Sequence, residues 1–306
     1  MAVILAMLFW AGAGIAVKEA LLVFEPLTLI VFRFTLAVIL MMTIGLLCRN
    51  NEVLGLQKVR KKDIPLFLIG GLIQPFLYYL FETYTYQSFA SPTIAEAILS
   101  MQPILAPIFA WILLRERVTR ANIIGILVST LGMLILLLVG TSDFNIGSPM
   151  GVLFAFITVS LSVSYTVVLR KIPAYYSSLS IVFYVQAFAL LLFYILWGVK
   201  GWISEEPLIV SEVFNNATIL LRSSLAVGYL AAFSSVAAFV LFCYAVRQIG
   251  VTNANLFNNV RPIFTAILMW MMFGEMLPVW KLVGILIIIV GLFISCIPRP
   301  NRNNYQ

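Results

Sequence analysis

Apolar stretches long enough to cross a bilayer recur about ten times along the chain. Their approximate bounds are 2–21, 28–47, 64–88, 92–113, 119–139, 149–169, 178–199, 222–246, 251–273 and 278–297. A helix needs about 20 apolar residues to span the hydrocarbon layer, and each stretch meets that length. Most joints are short and marked by proline or charge, as at Glu25-Pro26, Ser91-Pro92, Ser148-Pro149 and Leu277-Pro278. Only 48–63 and 200–221 are long, and neither can hold a soluble domain. The pattern predicts an all-α integral membrane protein with ten transmembrane helices.

One stretch breaks the apolar run. Residues Thr252–Pro262 read TNANLFNNVRP, with four asparagines, an arginine and a proline inside the predicted ninth span. An earlier stretch, TIAEAILSMQP from Thr93 to Pro103, is its twin at a constant offset (262 − 103 = 159 and 252 − 93 = 159). Between 93–132 and 252–291, eleven of forty positions are identical, including Pro103/Pro262, Trp111/Trp270, Glu116/Glu275, Gly125/Gly284 and Gly132/Gly291. Lys18 and Lys171 match at an offset of 153, so loop length differs by about six residues between the copies. The chain therefore divides into repeats at 1–140 (helices 1–5) and 148–298 (helices 6–10). An odd number of spans per copy makes the two copies insert with opposite orientation, the inverted-repeat plan of secondary transporters.

Composition agrees with a bilayer and narrows the function. Hydrophobic residues make up 62% of the 306, charged residues 10%, and mean hydropathy is +1.06. No soluble fold of this length hides so much apolar surface. With the N-terminus in the cytoplasm, the inner loops carry thirteen basic residues and the outer side four, Lys18, Lys200, Arg222 and Lys281. That bias places both termini in the cytoplasm of a cell (plasma) membrane protein. The opening MAVILAMLFWAG has no basic n-region or cleavage site and is expected to be a first span, a few native residues preceding Met1. The basic excess belongs to loops, and no phosphate loop or long basic run points to nucleic acid. Histidine is absent, and Cys48, Cys243 and Cys296 form no CxxC pair. Nothing resembles a nucleophile–base arrangement, a metal site or a cofactor site, so no enzyme activity is expected.

The residues also resemble a known family. W-A-G…K at Trp10–Lys18, P-L-T-L-I-V-F-R-F at Pro26–Phe34 and P-I-L-A-P-I-F-A-W-I-L-L-R-E-R at Pro103–Arg117 are similar to an EamA-type member of the drug/metabolite transporter superfamily, with a second copy at Pro262–Glu275. The resemblance covers nearly the whole chain. It implies two inverted five-helix bundles, no ATPase, and export or exchange of small metabolites through a central cavity. One departure is Gly274-Glu275-Met276 in place of Arg115-Glu116-Arg117, as expected for a loop on the outer side.

Thr93, Glu96, Ser100, Pro103 and Pro107 follow the 3, 4, 3, 4 spacing of one helix face, and Thr252, Asn255, Asn259, Pro262 and Ala266 repeat it. Such faces avoid lipid. Packing between helices suffices for Thr93, Ser100 and Thr252, whereas Asn255 and Asn259 are expected to face a cavity. Four charges lie inside spans: Arg33, Glu82, Glu96 and Arg261. Each costs roughly 2.5–3.5 kcal/mol or more at mid-bilayer, so a use is the default expectation. Arg33 shares a depth with Glu82 and Glu96 and is expected to be a structural or gating residue, paired with either carboxylate or snorkelling outward. A buried carboxylate lacking that partner would carry a proton and couple proton entry to substrate exit. Arg261, near the midplane, either holds an anionic group of the substrate or bridges to Glu96. Tyr78 and Tyr79 lie deep enough to line the pathway; Trp10, Tyr165, Tyr184 and Gln186 are lesser candidates. Glu116 and Glu275 read as pieces of loops, and the glycines at 125, 132, 284 and 291 as close contacts between helices 5 and 10.

The expected function is secondary transport, with export of amino acids or related amphipathic metabolites by alternating access. The expected partners are the lipid bilayer, the solute, protons as coupling ion, and a homodimer mate that the reading allows. Two alternatives remain: flipping of a lipid or lipid-linked sugar, and a membrane scaffold or sensor without flux.

Overall fold

The computed structural model describes residues 1–88, 99, 101–115, 118–138, 149–203, 216–273 and 279–295. Among these residues the secondary structure is helical. The α-helices are α1 (Ala2–Ala11), α2 (Ala13–Ala20), α3 (Pro26–Leu47), α4 (Ile64–Gly71), α5 (Tyr78–Ser88), α6 (Gln102–Leu114), α7 (Arg120–Leu138), α8 (Pro149–Lys171), α9 (Ser178–Ile203), α10 (Ala217–Tyr229), α11 (Ala238–Leu256), α12 (Arg261–Phe273) and α13 (Val279–Ser295). Two π-helical segments, Leu72–Leu77 and Leu230–Ala237, join α4 to α5 and α10 to α11.

Five helical runs are long and apolar enough to cross a membrane: Pro26–Leu47, Lys61–Glu82, Pro149–Lys171, Ser178–Trp202 and Ala217–Thr265. The last has 49 residues, more than twice one crossing, and is broken at Gly250 (φ 84°, ψ 169°). Only glycine, with no Cβ, adopts that backbone conformation at little cost. Shorter apolar helices cover Ala2–Val17, Gln102–Leu114, Arg120–Ile135 and Leu282–Ser295. Large apolar side chains face outward on α3, α7 and α13, among them Ile39, Leu127 and Phe293, the last 74% exposed. Water would penalise that surface and hydrocarbon does not. This is a multi-pass membrane protein.

Local sequence sets the helix ends. Glu25 accepts from the Leu27 and Thr28 amides at 3.0 and 3.2 Å, Pro26 fills a first-turn position, and Lys200 pairs with Glu25 at 2.7 Å. Asn216 caps α10 in the same way, starting that span at 217, ahead of the expected 222. The core runs through α8, α9 and α11, with Tyr165, Leu169, Val185, Phe239 and Cys243 buried together.

Helices α7 and α13 pack through glycines, as expected for helices 5 and 10. A Cβ on Gly125 would meet the carbonyl oxygen of Gly291 at 2.5 Å, and one on Gly132 the carbonyl of Gly284 at 2.7 Å. The contact is reciprocal, because Gly284 and Gly291 are the repeat mates of Gly125 and Gly132.

The 48–63 loop is ordered against the α8–α9 turn. Leu179 N donates to Val53 O, Ser177 Oγ to Gly55 O, and Ser177 N to Gln57 Oε1. Tyr175 and Tyr176 both donate to Asp63 Oδ2. The bond to Asp63, then burial, then Tyr176 hold the Tyr175 phenol above the usual tyrosine range. A raised folded pKa means that this contribution is full below about 10, the ordinary value, and fades as pH climbs toward the folded value. Tyr175→Phe should therefore remove a late step from the ultraviolet phenolate titration. Loss of a step at the ordinary tyrosine position would contradict the Asp63 bond.

Candidate functional site

Both polar stretches of the sequence end in helix breaks. Helix α6 begins at Gln102 with Pro103 in its first turn, after Met101 leaves the helical conformation (φ −77°, ψ 8°). Helix α12 begins at Arg261, after a 3₁₀ turn from Phe257 to Val260. Gln102 and Arg261 are repeat mates, 159 residues apart. The cause is shared: proline has no N–H to give the preceding turn, so Pro103 and Pro262 suit the first turn of a helix, where that N–H has no partner to lose. The two breaks touch, since Asn258 Nδ2 donates to Gln102 Oε1 at 3.0 Å and to Asn255 Oδ1 at 3.3 Å.

The π-segments form a second matched pair. Adding 159 to 72–77 gives 231–236, inside Leu230–Ala237. A π-bulge leaves carbonyls without their usual helical donors, and such bulges concentrate at functional sites. In the second copy three side chains from other spans satisfy the bulge. Trp10 Nε1 donates to Ser234 O at 3.1 Å and Gln186 Nε2 to Ser235 O at 2.7 Å. Arg33 donates from Nε to Ser235 Oγ at 2.6 Å and from Nη2 to Ser234 Oγ at 3.0 Å. Arg33 and Gln186 share the offset of 153 that relates Lys18 to Lys171.

Arg33 is 6% exposed, so it does not snorkel. Of the two carboxylates expected as partners, Glu96 lies outside the described residues and Glu82 bonds Tyr78; two serine hydroxyls accept from Arg33, and its guanidinium lies 5.2 Å from the Tyr79 ring centroid and 5.4 Å from that of Phe34. Depth alone suggested the carboxylate, but the bulge offers oxygens closer to hand. In the first copy, Gln74 is extended (φ −148°, ψ 123°) within Leu72–Leu77, and α5 then presents Tyr78, Tyr79 and Glu82. Tyr78 Oη donates to Glu82 Oε1 at 2.8 Å. The Tyr78 and Tyr79 rings lie 5.3 Å apart, so Arg33 at the Tyr79 ring and Glu82 at the Tyr78 hydroxyl flank one aromatic pair.

Asn255 and Asn259 are elsewhere. Both are fully buried, against the expected cavity. Asn255 Nδ2 donates to Thr166 Oγ1 and Val251 O, and Asn259 Nδ2 to Ser129 Oγ on α7. Neighbouring helices take both Nδ2 donors, whereas Asn259 Oδ1 and Thr252 Oγ1 are buried without a hydrogen-bond partner among the described residues. Thr252 is buried, in keeping with packing. Thr93, Glu96, Ser100, Glu116 and Glu275 lie outside the described residues.

Sequence reasoning missed Asn258, Ser234 and Ser235. Asn258 sits one position off the 3, 4 face because the 3₁₀ turn rotates the register there. The Ser234-Ser235 doublet inside an apolar span was the signal available for the bulge. Tyr165 and Gln186, noted as lesser candidates, are deeply buried, and the Tyr165 hydroxyl and Gln186 Oε1 have no hydrogen-bond partner among the described residues.

A model of the EamA-like transporter family matches residues 1–138 and again 149–297. The uncharacterized transporter YetK of Bacillus subtilis (strain 168) is 23% identical over 278 residues, covering 89% of this chain and 79% of its own. An S-adenosylmethionine/S-adenosylhomocysteine transporter of Chlamydia trachomatis serovar D is 27% identical over 293 residues, covering 92% and 84%. A solved crystal structure superposes with a TM-score of 0.75 at 19% identity, over 96% of each chain, a likeness of fold.

Proposed function

Because the chain belongs to the EamA-like transporter family, we propose that it is a secondary exporter of small solutes bearing an amino-acid headgroup, working by alternating access. It crosses the plasma membrane ten times as two inverted five-helix repeats, with both termini cytoplasmic. Supporting the inversion are the reciprocal glycine contact of α7 with α13 and the π-segments at matched positions. The observation that carries the function is the junction of two repeat-related helix breaks, Asn258 on Gln102, together with Arg33 and Glu82 flanking the Tyr78–Tyr79 pair. Discontinuous helices meeting at mid-depth are where transporters of this plan hold substrate.

The headgroup follows from the charges. Arg261 suits the carboxylate, Glu82 the ammonium, and the rings of Tyr78 and Tyr79 an apolar or aromatic side chain. Arg33 orients Tyr79 and the second bulge. S-adenosylmethionine, named for the chlamydial relative, is itself an amino-acid derivative. Glu82, with Glu96, supplies the protonatable group for coupling.

Purified protein in liposomes, offered amino acids, amines, nucleosides and sugars with and without a pH gradient, tests the proposal. Arg261→Gln should reduce amino-acid flux about tenfold or more, the effect of one lost charge-assisted contact, while sparing amines that lack the carboxylate. Flux of lipid-linked sugar alone would favour a flippase, and absence of flux across the panel a scaffold. A double Glu82→Gln, Glu96→Gln variant that still exports in strict dependence on pH would sink proton coupling.

A further inference from the structure

Away from the helix breaks, a groove of about 740 Å³ opens at the end of the molecule where α8 turns into α9. Its lining comes from three places: the 48–63 loop, the α8–α9 turn and the middle of α11. Arg170, Lys171 and Arg247 lie along it, against one carboxylate, Glu52. Among the described residues none of the three cations has a carboxylate within ion-pair distance.

A basic excess on loops is ordinary for a membrane protein and would leave long side chains splayed toward headgroups. Here the arginines are tied back to main chain. Arg247 donates to Tyr176 O at 2.6 Å and Ala174 O at 2.7 Å, and Arg170 donates to the carbonyl of Arg247. Carbonyls hold the guanidinium groups in place without cancelling their charge. Three fixed or facing cations with one acid give the concavity a net positive field, and low-dielectric walls focus it.

We propose that this groove binds a phosphate-bearing anion. Two full cations and a third beside it match the charge and acceptor number of a phosphate better than those of a single carboxylate. The volume lies within the roughly 300–1,000 Å³ of small-molecule sites, so the phosphate is part of a larger body. Half-exposed rings of Tyr175 and Tyr244 supply faces for that body, and Arg60 already stacks on the Tyr175 ring at 4.2 Å. Bound there, the anion clamps the middle of α11 to the end of α8 and to the first repeat's loop. The site is independent of the solute site around Tyr79 and stands whether or not that site carries amino acids.

The chemistry has two sources, a lipid headgroup or a soluble phosphate ester. Calorimetry with inorganic pyrophosphate, on purified protein in neutral detergent at low salt, reads the site directly. Saturable binding that weakens as salt rises is expected, with a loss of about tenfold in Lys171→Gln and again in Arg170→Gln. Arg222→Gln, an exposed cation on α10, should bind as the unmodified protein does. Absence of saturable pyrophosphate binding overturns the proposal. So does binding unaffected by the two groove substitutions in proteins of unchanged melting temperature, or lost equally in Arg222→Gln. Repeating the titration in phosphatidylcholine discs with and without phosphatidylglycerol separates the sources. Pyrophosphate displaced by the anionic lipid identifies a headgroup site, and unchanged binding a soluble ester.

Discussion

Arg33→Met should leave the protein as stable as before, within about 1–2 kcal/mol, and cut flux about tenfold or more. The stability half follows from opposing magnitudes. The guanidinium is buried and its hydrogen-bond partners are neutral, Ser234 and Ser235, with the rings of Tyr79 and Phe34 beside it. Two charge-assisted hydrogen bonds contribute about 1.5–3 kcal/mol each. Cation–π contacts add about 0.5–2 kcal/mol. Taking an unpaired guanidinium out of water costs several kcal/mol after relaxation, so the sum is near zero. Methionine fills much of the same volume, and the freed serine hydroxyls can turn to carbonyls four residues back in their own segment.

The flux half follows from what else Arg33 does. It fixes the second π-segment and places positive charge beside Tyr79, whose ring packs on that of Tyr78, the partner of Glu82. A residue that contributes little net stability and is retained at high desolvation cost is there for the site. Differential scanning fluorimetry beside liposome flux separates the outcomes. A drop in melting temperature with normal flux in the surviving protein would make Arg33 a structural strut.

Much of the fold was legible because membrane constraints write themselves into length and polarity. Pro26, Gly250 and Pro103 each mark a boundary whose physical cause is local. The repeat was legible too, since prolines and glycines have no apolar substitutes, and the glycine spacing predicted the close contact of helices 5 and 10; the helix starts at Gln102 and Arg261 instead fall inside stretches read as the single spans 92–113 and 251–273. The side-chain partners were not. Arg33 chose hydroxyls over Glu82 because a π-bulge, invisible to 3.6-residue periodicity, turned Ser234 and Ser235 toward it. Asn259 pointed at α7 and Asn258 at the opposing break because the 3₁₀ turn shifted the face by one residue. Polarity in a span announces that a partner exists; which partner depends on a rotation of about 100° per residue.

Gly132→Ala is expected to destabilise the protein strongly for a single methyl group, and Gly198→Ala to do the opposite. A Cβ at 132 would lie 2.7 Å from Gly284 O and 2.7 Å from Ile288 N. Both are backbone atoms of α13 and cannot rotate aside, so α7 and α13 must separate along their shared face. Overpacking of this kind costs roughly 1–3 kcal/mol, and the lost close approach removes the van der Waals contact on which helix association in lipid depends. Gly198 in α9 has nothing within 4 Å of its Cβ position, so alanine there should stabilise by about 0.5–1 kcal/mol through helix propensity alone. Thermal unfolding of the two variants in the same detergent should move in opposite directions. Gly125→Ala and Gly291→Ala should follow Gly132, because their Cβ positions also meet backbone of the facing helix, at 2.5 and 2.4 Å. If Gly132→Ala melts with the unmodified protein, the crossing is looser than drawn. The two repeats would then have to be joined elsewhere, with the Asn258–Gln102 bridge and the packing of α1 on α11, Trp10 against Phe239, carrying that role.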